Sequence, residues 1–332
     1  METRKLGQSD VYVTPLAFGA WAIGGWMWGG ADSREAVKAM ETAIDNGMTT
    51  IDTAPVYGFG LSEELVGKAI HGKRSKVQIL TKFGLSWNSK LGAFYFSTKD
   101  NSGKDTDLYR YAAKDRVISE CEDSLRRMNI DCIDLLQIHW PDVTTPVSGT
   151  MEAFEILINR GMIKAGGVCN YSAELMSEAE KTFPIASNQV PYSMVNRAIE
   201  KSVVPYCLKN KIGIFAYSPL QRGLLTGKIK PGHIFSEGDT RPATPYYKEP
   251  NLSKILHFLS QIKPIAEKHN ANLSQLVLNW TLRQPGITCA LAGARNSEQV
   301  LDNIGALNFI LSDSELKTIN SHIFELQIDI KI

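Results

Sequence analysis

No two cysteines of this chain stand at CxxC spacing. The five that occur, at positions 121, 132, 169, 207 and 289, are odd in number. That argues against a disulfide framework and for a reducing compartment. The six histidines are scattered, with no HxH or HExxH spacing, so no metal site is expected. No apolar run approaches the ~20 residues of a membrane-spanning helix. The start, METRKLGQSDVYV, is polar and lacks the apolar core of a signal peptide. An excess of one charge is missing too: 36 Lys and Arg stand against 35 Asp and Glu, for a net +1. Nothing there favours nucleic acid or an acidic membrane surface as a partner. The expectation is a soluble cytoplasmic protein.

Two nucleotide signatures are also absent. GxGxxG fails because Gly58 and Gly60 are followed by Glu63 where the third glycine belongs. Gly223-Leu-Leu-Thr-Gly227-Lys228 is one residue too short for a Walker A loop and has no Ser or Thr after the lysine. A nucleotide cofactor would have to be held in another way.

What the chain does have is apolar content, at 43%, with 21% charged residues, enough for a large core. Its 332 residues exceed the roughly 250 of one (β/α)8 barrel but fall short of two average domains and a linker. Apolar runs ending in small or polar residues alternate with segments of helical period. The candidate strands are Leu16–Ala22, Thr49–Ala54, Val77–Phe83, Ile133–Trp140, Ile163–Asn170, Ile185–Val190, Gly213–Pro219 and Thr288–Ala294. Continuously apolar strands are buried on both faces. In 114–129, Val117, Ile118, Cys121, Leu125 and Met128 fall on one helical face. Asp32 with Glu35 reads as the cap of a helix over 33–47, and Ser172 caps 173–182. Ser62, followed by Glu63 and Glu64, is expected to open another helix, with acid at its positive end.

Strand and helix in alternation mean a parallel α/β fold, and eight strands favour a closed (β/α)8 TIM barrel over an open sheet. A hairpin around Gly7-Gln8-Ser9-Asp10 is expected to plug its bottom. Residues 84–113 and 221–250 read as long loops, and 251–269 and 312–325 as two additional helices. No linker rich in Pro, Gly or Ser divides the chain, so residues 1–332 read as one domain.

Four polar residues carry the chemistry. Asp52 and Tyr57 follow one strand in TTIDTAPVYGFGLSEELVG, Lys82 closes the next in VQILTKFG, and His139 the one after in IDLLQIHWP. In a parallel barrel these strand ends meet at one mouth. A free tyrosine, with a pKa of about 10, is a poor acid at neutral pH. Lys82 is expected to stabilise the phenolate and lower that pKa, with Asp52 holding Lys82 charged. His139 can orient a substrate carbonyl. Together they suit proton delivery to an oxygen as hydride reaches carbon. Any one of them alone is more often a structural hydrogen-bonding residue, but four in register at successive strand ends weaken that reading.

These residues and their surroundings resemble the catalytic tetrad of the aldo-keto reductases, on the bacterial branch that includes inositol-operon reductases. The resemblance runs from KLGQSDVYVTPLAFGAWAIGG to GARNSEQVLDNIGAL. It implies a (β/α)8 barrel with NADP(H) lying extended across its C-terminal mouth. By position it implies that Asn170 and Gln189 contact the nicotinamide carboxamide and that Tyr217 stacks on the ring. Ser218, Pro219, Leu220, Gly223 and Leu224 match the stretch that wraps the pyrophosphate. Gly293, Ala294 and Arg295 match the end of the last strand, where Arg295 and a helix N-terminus suit a 2′-phosphate. Gln299 and Asn303 would face the adenine. Cys169 stands where the family has serine; a thiol is the weaker hydrogen-bond partner, and it would be open to oxidation if exposed.

The implied activity is NADPH-dependent reduction of an aldehyde or ketone, reversibly oxidation of an alcohol or sugar, with Tyr57 as general acid. Trp21, Trp26, Trp87 and Trp140 are candidates for the wall of a pocket for a small carbonyl substrate, or for pinning loops to the barrel rim. Two other readings stand beside the enzyme. One is an NADP(H)-sensing binding module with little turnover. The other is a Schiff-base lyase using Lys82 as nucleophile, against which Asp52 argues by keeping the lysine charged.

Overall fold

The computed structural model describes residues 1–330. Strands β1 (Arg4–Lys5) and β2 (Tyr12–Val13) form the N-terminal hairpin. Then come β3 (Leu16–Gly19), α1 (Ser33–Asp45), β4 (Thr50–Asp52), α2 (Leu61–Ala69) and β5 (Gln78–Phe83). Three short strands follow: β6 (Leu85–Ser86), β7 (Ala93–Lys99) and β8 (Asp105–Arg110). Alternation resumes with α3 (Lys114–Met128), β9 (Ile133–Ile138), α4 (Val147–Asn159), β10 (Ile163–Cys169), α5 (Ala173–Ala179) and β11 (Ser187–Pro191). The rest is α6 (Val203–Asn210), β12 (Gly213–Tyr217), α7 (Asn251–Lys268), α8 (Leu273–Leu282), β13 (Ile287–Gly293), α9 (Ser297–Ile304) and α10 (Asp313–Glu325).

Eight parallel strands, β3, β4, β5 and β9 to β13, close into a barrel. It is the (β/α)8 TIM barrel the alternation predicts. Inside it, Ala17, Leu80, Leu135, Ala165, Phe215, Cys289 and Leu291 pack together with Leu6, Val11 and Val13 of the hairpin. The hairpin thus closes the end where strands begin: Arg4 donates to the carbonyls of Ile287 and Thr288, and Gln8 to that of Asn210. Helices α7 and α10 pack on one another outside the ring, as the two additional helices.

Asp32 caps α1 by accepting from the amides of Arg34 and Glu35, and Ser172 caps α5 through the Leu175 amide. Ser62 does something else. Helix α2 starts one residue earlier, after Gly60, and the Ser62 hydroxyl turns inward to Thr53 and the carbonyl of Ala20. Glu63 is also turned in, where it takes Thr81 and Arg127 and ties α2 to β5 and α3. Tertiary partners outweighed the local cap.

Residues 84–113 are not the plain loop expected. They hold a three-stranded antiparallel sheet in the order β6-β8-β7. Its inner side packs over the barrel mouth: Trp26 donates to Thr98 and stacks on Phe96 at 6.2 Å, and Tyr95 lies 5.5 Å from Trp140. Residues 221–250 make three 3₁₀ turns and reach back to the loop after β3. There Arg222 donates to the carbonyl of Met27 and to Thr240. No helix of the described residues is long and apolar enough to cross a membrane, and no cluster of three potential metal ligands occurs among them.

Candidate active site

Side chains alternate in and out along each barrel strand, and this parity selects the site. Below the mouth the inward positions are apolar: Leu80 on β5, Leu135 on β9, Ala165 on β10 and Phe215 on β12. Two residues further along the same face come Lys82, Gln137, Gly167 and Tyr217, and then His139 and Cys169 at the ends of their strands. Asp52 and Gln189 join them from β4 and β11.

Lys82 Nζ lies 2.6 Å from Asp52 Oδ1 and 2.9 Å from the carbonyl of Thr53. It also stands 4.8 Å from the centre of the Tyr57 ring. His139 meets that ring edge to face, with centroids 5.6 Å apart. Burial pulls the Lys82 pKa down, but Asp52 and Tyr57 outweigh it and hold the ammonium above its ordinary value. His139 is held well below the ordinary imidazole range, first by burial and then by Lys82, so it is neutral at physiological pH. Tyr57 differs from expectation. Lys82 does oppose the shift, but burial is the larger effect and pushes the phenol up to about 12. Desolvating the phenolate costs more than Lys82 returns, and the charge of Asp52 adds to that cost.

Tyr57 is fixed by backbone. A Cβ on Gly24 would lie 2.7 Å from both the carbonyl carbon and oxygen of Tyr57, so the loop after β3 presses main chain against main chain there.

A groove of 660 Å³ runs from this cluster across the mouth. Its near end is walled by Trp21, Trp26, Tyr95, Phe96 and Trp140, its floor by Cys169, Asn170, Gln189 and Tyr217. Tyr217 donates to Asn170 Oδ1 at 3.0 Å, and Asn170 Nδ2 donates to the carbonyl of His139 at 3.1 Å. Beyond Tyr217 the wall is Ser218, Pro219, Leu220 and Gly223, the last at φ 96°. The far end holds Gly293, Ala294, Arg295, Gln299 and Asn303. Three guanidiniums surround the Trp28 ring: Arg222 at 4.8 Å, Arg241 at 5.1 Å and Arg295 at 5.4 Å. Arg241 is paired with Asp239 at 2.6 Å, while Arg295 donates to the carbonyl of Trp28. Burial lowers the Arg222 pKa to about 10.

A family model described as the Aldo/keto reductase family matches residues 15–323. The chain belongs to the aldo/keto reductase family. It is similar to "Aldo-keto reductase YhdN" of Bacillus subtilis (strain 168), at 37% identity over 97% of this chain and 93% of that protein. The "NADH-specific methylglyoxal reductase" of Escherichia coli (strain K12) is 33% identical over 95% of this chain and 96% of that protein. Among solved structures, the glycerol dehydrogenase AKR11B4 from Gluconobacter oxydans superposes with a TM-score of 0.88 at 36% identity, covering 99% of this chain and 98% of that one.

Two of the candidate residues, Leu224 from the family resemblance and Trp87 from the loop aromatics, lie off the groove. Leu224 is fully buried in the core, because the turn at Arg222 and Gly223 directs it inward. Trp87 packs edge-on against Phe59 at 5.5 Å, outside the groove wall. Lys82 also does not reach the groove surface and stands behind Tyr57. Cys169 lines the floor but is only 1% exposed. Burial pushes its thiol up, away from the thiolate that oxidation requires. Sequence reasoning missed Arg241, Asp239 and His233, which sit in a segment without periodicity, and Gln137, hidden in an apolar strand.

The residues of the groove fit a dinucleotide. Among the described residues, the buried Nε1 of Trp28 and Nε of Arg222 have no acceptor. Donors without partners, together with three guanidiniums, suit phosphate oxygens.

Proposed function

We propose that this protein is an NADP(H)-dependent reductase of small aldehydes or ketones, working in reverse as an alcohol or sugar dehydrogenase, with Tyr57 as general acid and base. The observation that carries the reading is the meeting of Tyr57, Lys82, Asp52 and His139 beside a 660 Å³ groove that continues to Arg295 and Asn303.

The nicotinamide, when bound, supplies or accepts the hydride. Tyr217 would hold its ring, Asn170 and Gln189 its carboxamide beside Cys169. Ser218, Pro219, Leu220 and Gly223 would hold the pyrophosphate. Gly293, Ala294, Arg295, Gln299 and Asn303 would hold the adenosine end, with Arg295 on the 2′-phosphate. Arg295 is the basis for preferring NADP(H), although one relative is named NADH-specific.

Tyr57 and neutral His139 donate to the carbonyl oxygen and turn its carbon toward the groove. With its pKa raised, Tyr57 stays protonated throughout the physiological range, and the basicity of the developing alkoxide drives the transfer. Lys82 then stabilises the phenolate left behind, and Asp52 keeps Lys82 charged. The aromatic wall of Trp21, Trp26, Tyr95, Phe96 and Trp140 excludes water from this exchange.

The test is titration with NADPH and NADH by fluorescence quenching, then NADPH consumption with short aldehydes, dicarbonyls, glyceraldehyde and sugars. Tyr57→Phe should lower kcat on the order of 10²- to 10⁴-fold and leave NADPH binding intact. Retained turnover in that variant would remove Tyr57 from its role.

A further inference from the structure

The barrel divides the two oxygens of Asp52 between different partners. Oδ1 goes to Lys82. Oδ2 faces two glutamine amides, Gln189 Nε2 at 2.8 Å and Gln137 Nε2 at 3.4 Å. A carboxylate only accepts hydrogen bonds, so each glutamine must turn its NH2 group, not its oxygen, toward Oδ2.

Gln189 lines the groove and has a role there already. Gln137 does not. It is 0% exposed, lies beside Lys82 and Gly167 in the strand register, and touches neither groove nor solvent. Its Oε1 has no partner among the described residues. A buried amide oxygen without a partner costs stability, and a leucine of similar size would avoid that cost. Room for the longer amide comes from Gly167, whose added Cβ would stand 3.3 Å from Gln137 Cγ. What the amide contributes is at its other end, on Asp52.

We propose that Gln137 is a positioning residue for the reaction: it fixes the rotation of the Asp52 carboxylate, keeps Oδ1 on Lys82, and moderates the negative charge that Tyr57 feels. This rests on Tyr57 being the acid. The sign follows from the charges around the phenol, since Lys82 favours the phenolate and Asp52 opposes it. A donor on Oδ2 spreads the charge of Asp52 and weakens that opposition.

The experiment compares the pH profile of kcat for wild type and Gln137→Leu with NADPH and the best carbonyl substrate of the panel. NADPH Kd and thermal midpoint are measured alongside. Q137L should lower kcat roughly 3- to 10-fold and move the alkaline limb up by roughly half a pH unit, with NADPH Kd unchanged. Gln137→Glu donates only while protonated, so it should recover activity at acid pH and lose it as the pH rises. Should the branched leucine not fit, Gln137→Met fills the same space with a flexible chain and repeats the comparison. A fall in kcat with an unmoved alkaline limb, or one that follows the thermal midpoint or NADPH Kd, overturns the proposal and leaves Gln137 a packing residue. A wild type without turnover overturns both this role and the reductase reading. An active wild type with an unmoved Q137L profile overturns this role alone.

Discussion

Lys82 and Asp52 form an ion pair at 2.6 Å with side chains only 0% and 2% exposed. Removed from water, such a pair persists only because each charge is met by further partners. Here these are the Thr53 carbonyl for Lys82 and two glutamine amides for Asp52. The pair is the electrostatic floor beneath Tyr57.

Alkaline stability should report on this floor. Lys82 is raised above its ordinary 10.5 and Tyr57 above its ordinary 10.0, to about 12. Both groups hold their protons more tightly in the folded chain than in the unfolded one. Their contribution is fully present below the unfolded values and is lost as the pH rises through the folded ones, because the unfolded chain releases its protons first. Urea midpoints from about pH 9 to about pH 11.5 should therefore fall less steeply for Tyr57→Phe than for wild type. Parallel curves would show that Tyr57 is not held protonated by the fold.

Gly24→Ala should injure catalysis more than folding. The new methyl meets the carbonyl of Tyr57 at 2.7 Å, and no flexible side chain is there to yield. Displacing the phenol by about 1 Å should cost roughly 10²-fold in kcat. NADPH Kd should change little, since Gly24 lies off the groove. An unchanged kcat would mean that the position of Tyr57 is not critical.

Arg295→Ala separates the two coenzymes. If its guanidinium meets a 2′-phosphate, NADPH affinity should fall by about 10-fold or more while NADH affinity holds. Equal losses by fluorescence titration would place Arg295 on a part common to both.

Tyr95→Ala should open the substrate wall. Tyr95 reaches the groove from the inserted sheet and packs on Trp140, with Arg110 over its ring at 5.1 Å. Steady-state kinetics should show KM for the carbonyl rising by about 10-fold or more, with NADPH Kd unmoved. A change in NADPH Kd alone would put Tyr95 on the cofactor side.

The chain by itself determined the barrel, because buried parallel strands must be apolar runs and the helices between them must carry one apolar face. It also determined local punctuation such as the Asp32 and Ser172 caps, whose partners lie within three residues, and the motifs that mark the family. Tertiary structure decided the rest. A continuously apolar strand does not reveal which parity faces inward, so nothing in IDLLQIHWP distinguished Gln137 as a partner of Asp52. The bond between Gln189 and Asp52 spans 137 residues of sequence and exists only once the barrel closes. The same holds for Ser62, drawn from its cap to Ala20, and for Leu224, turned into the core. The sheet in 84–113 forms where its aromatic residues find the barrel mouth to pack on. Short-range hydrogen bonding and periodicity can be read in order along the chain. Contacts that depend on closure, burial and charge at a distance require the fold.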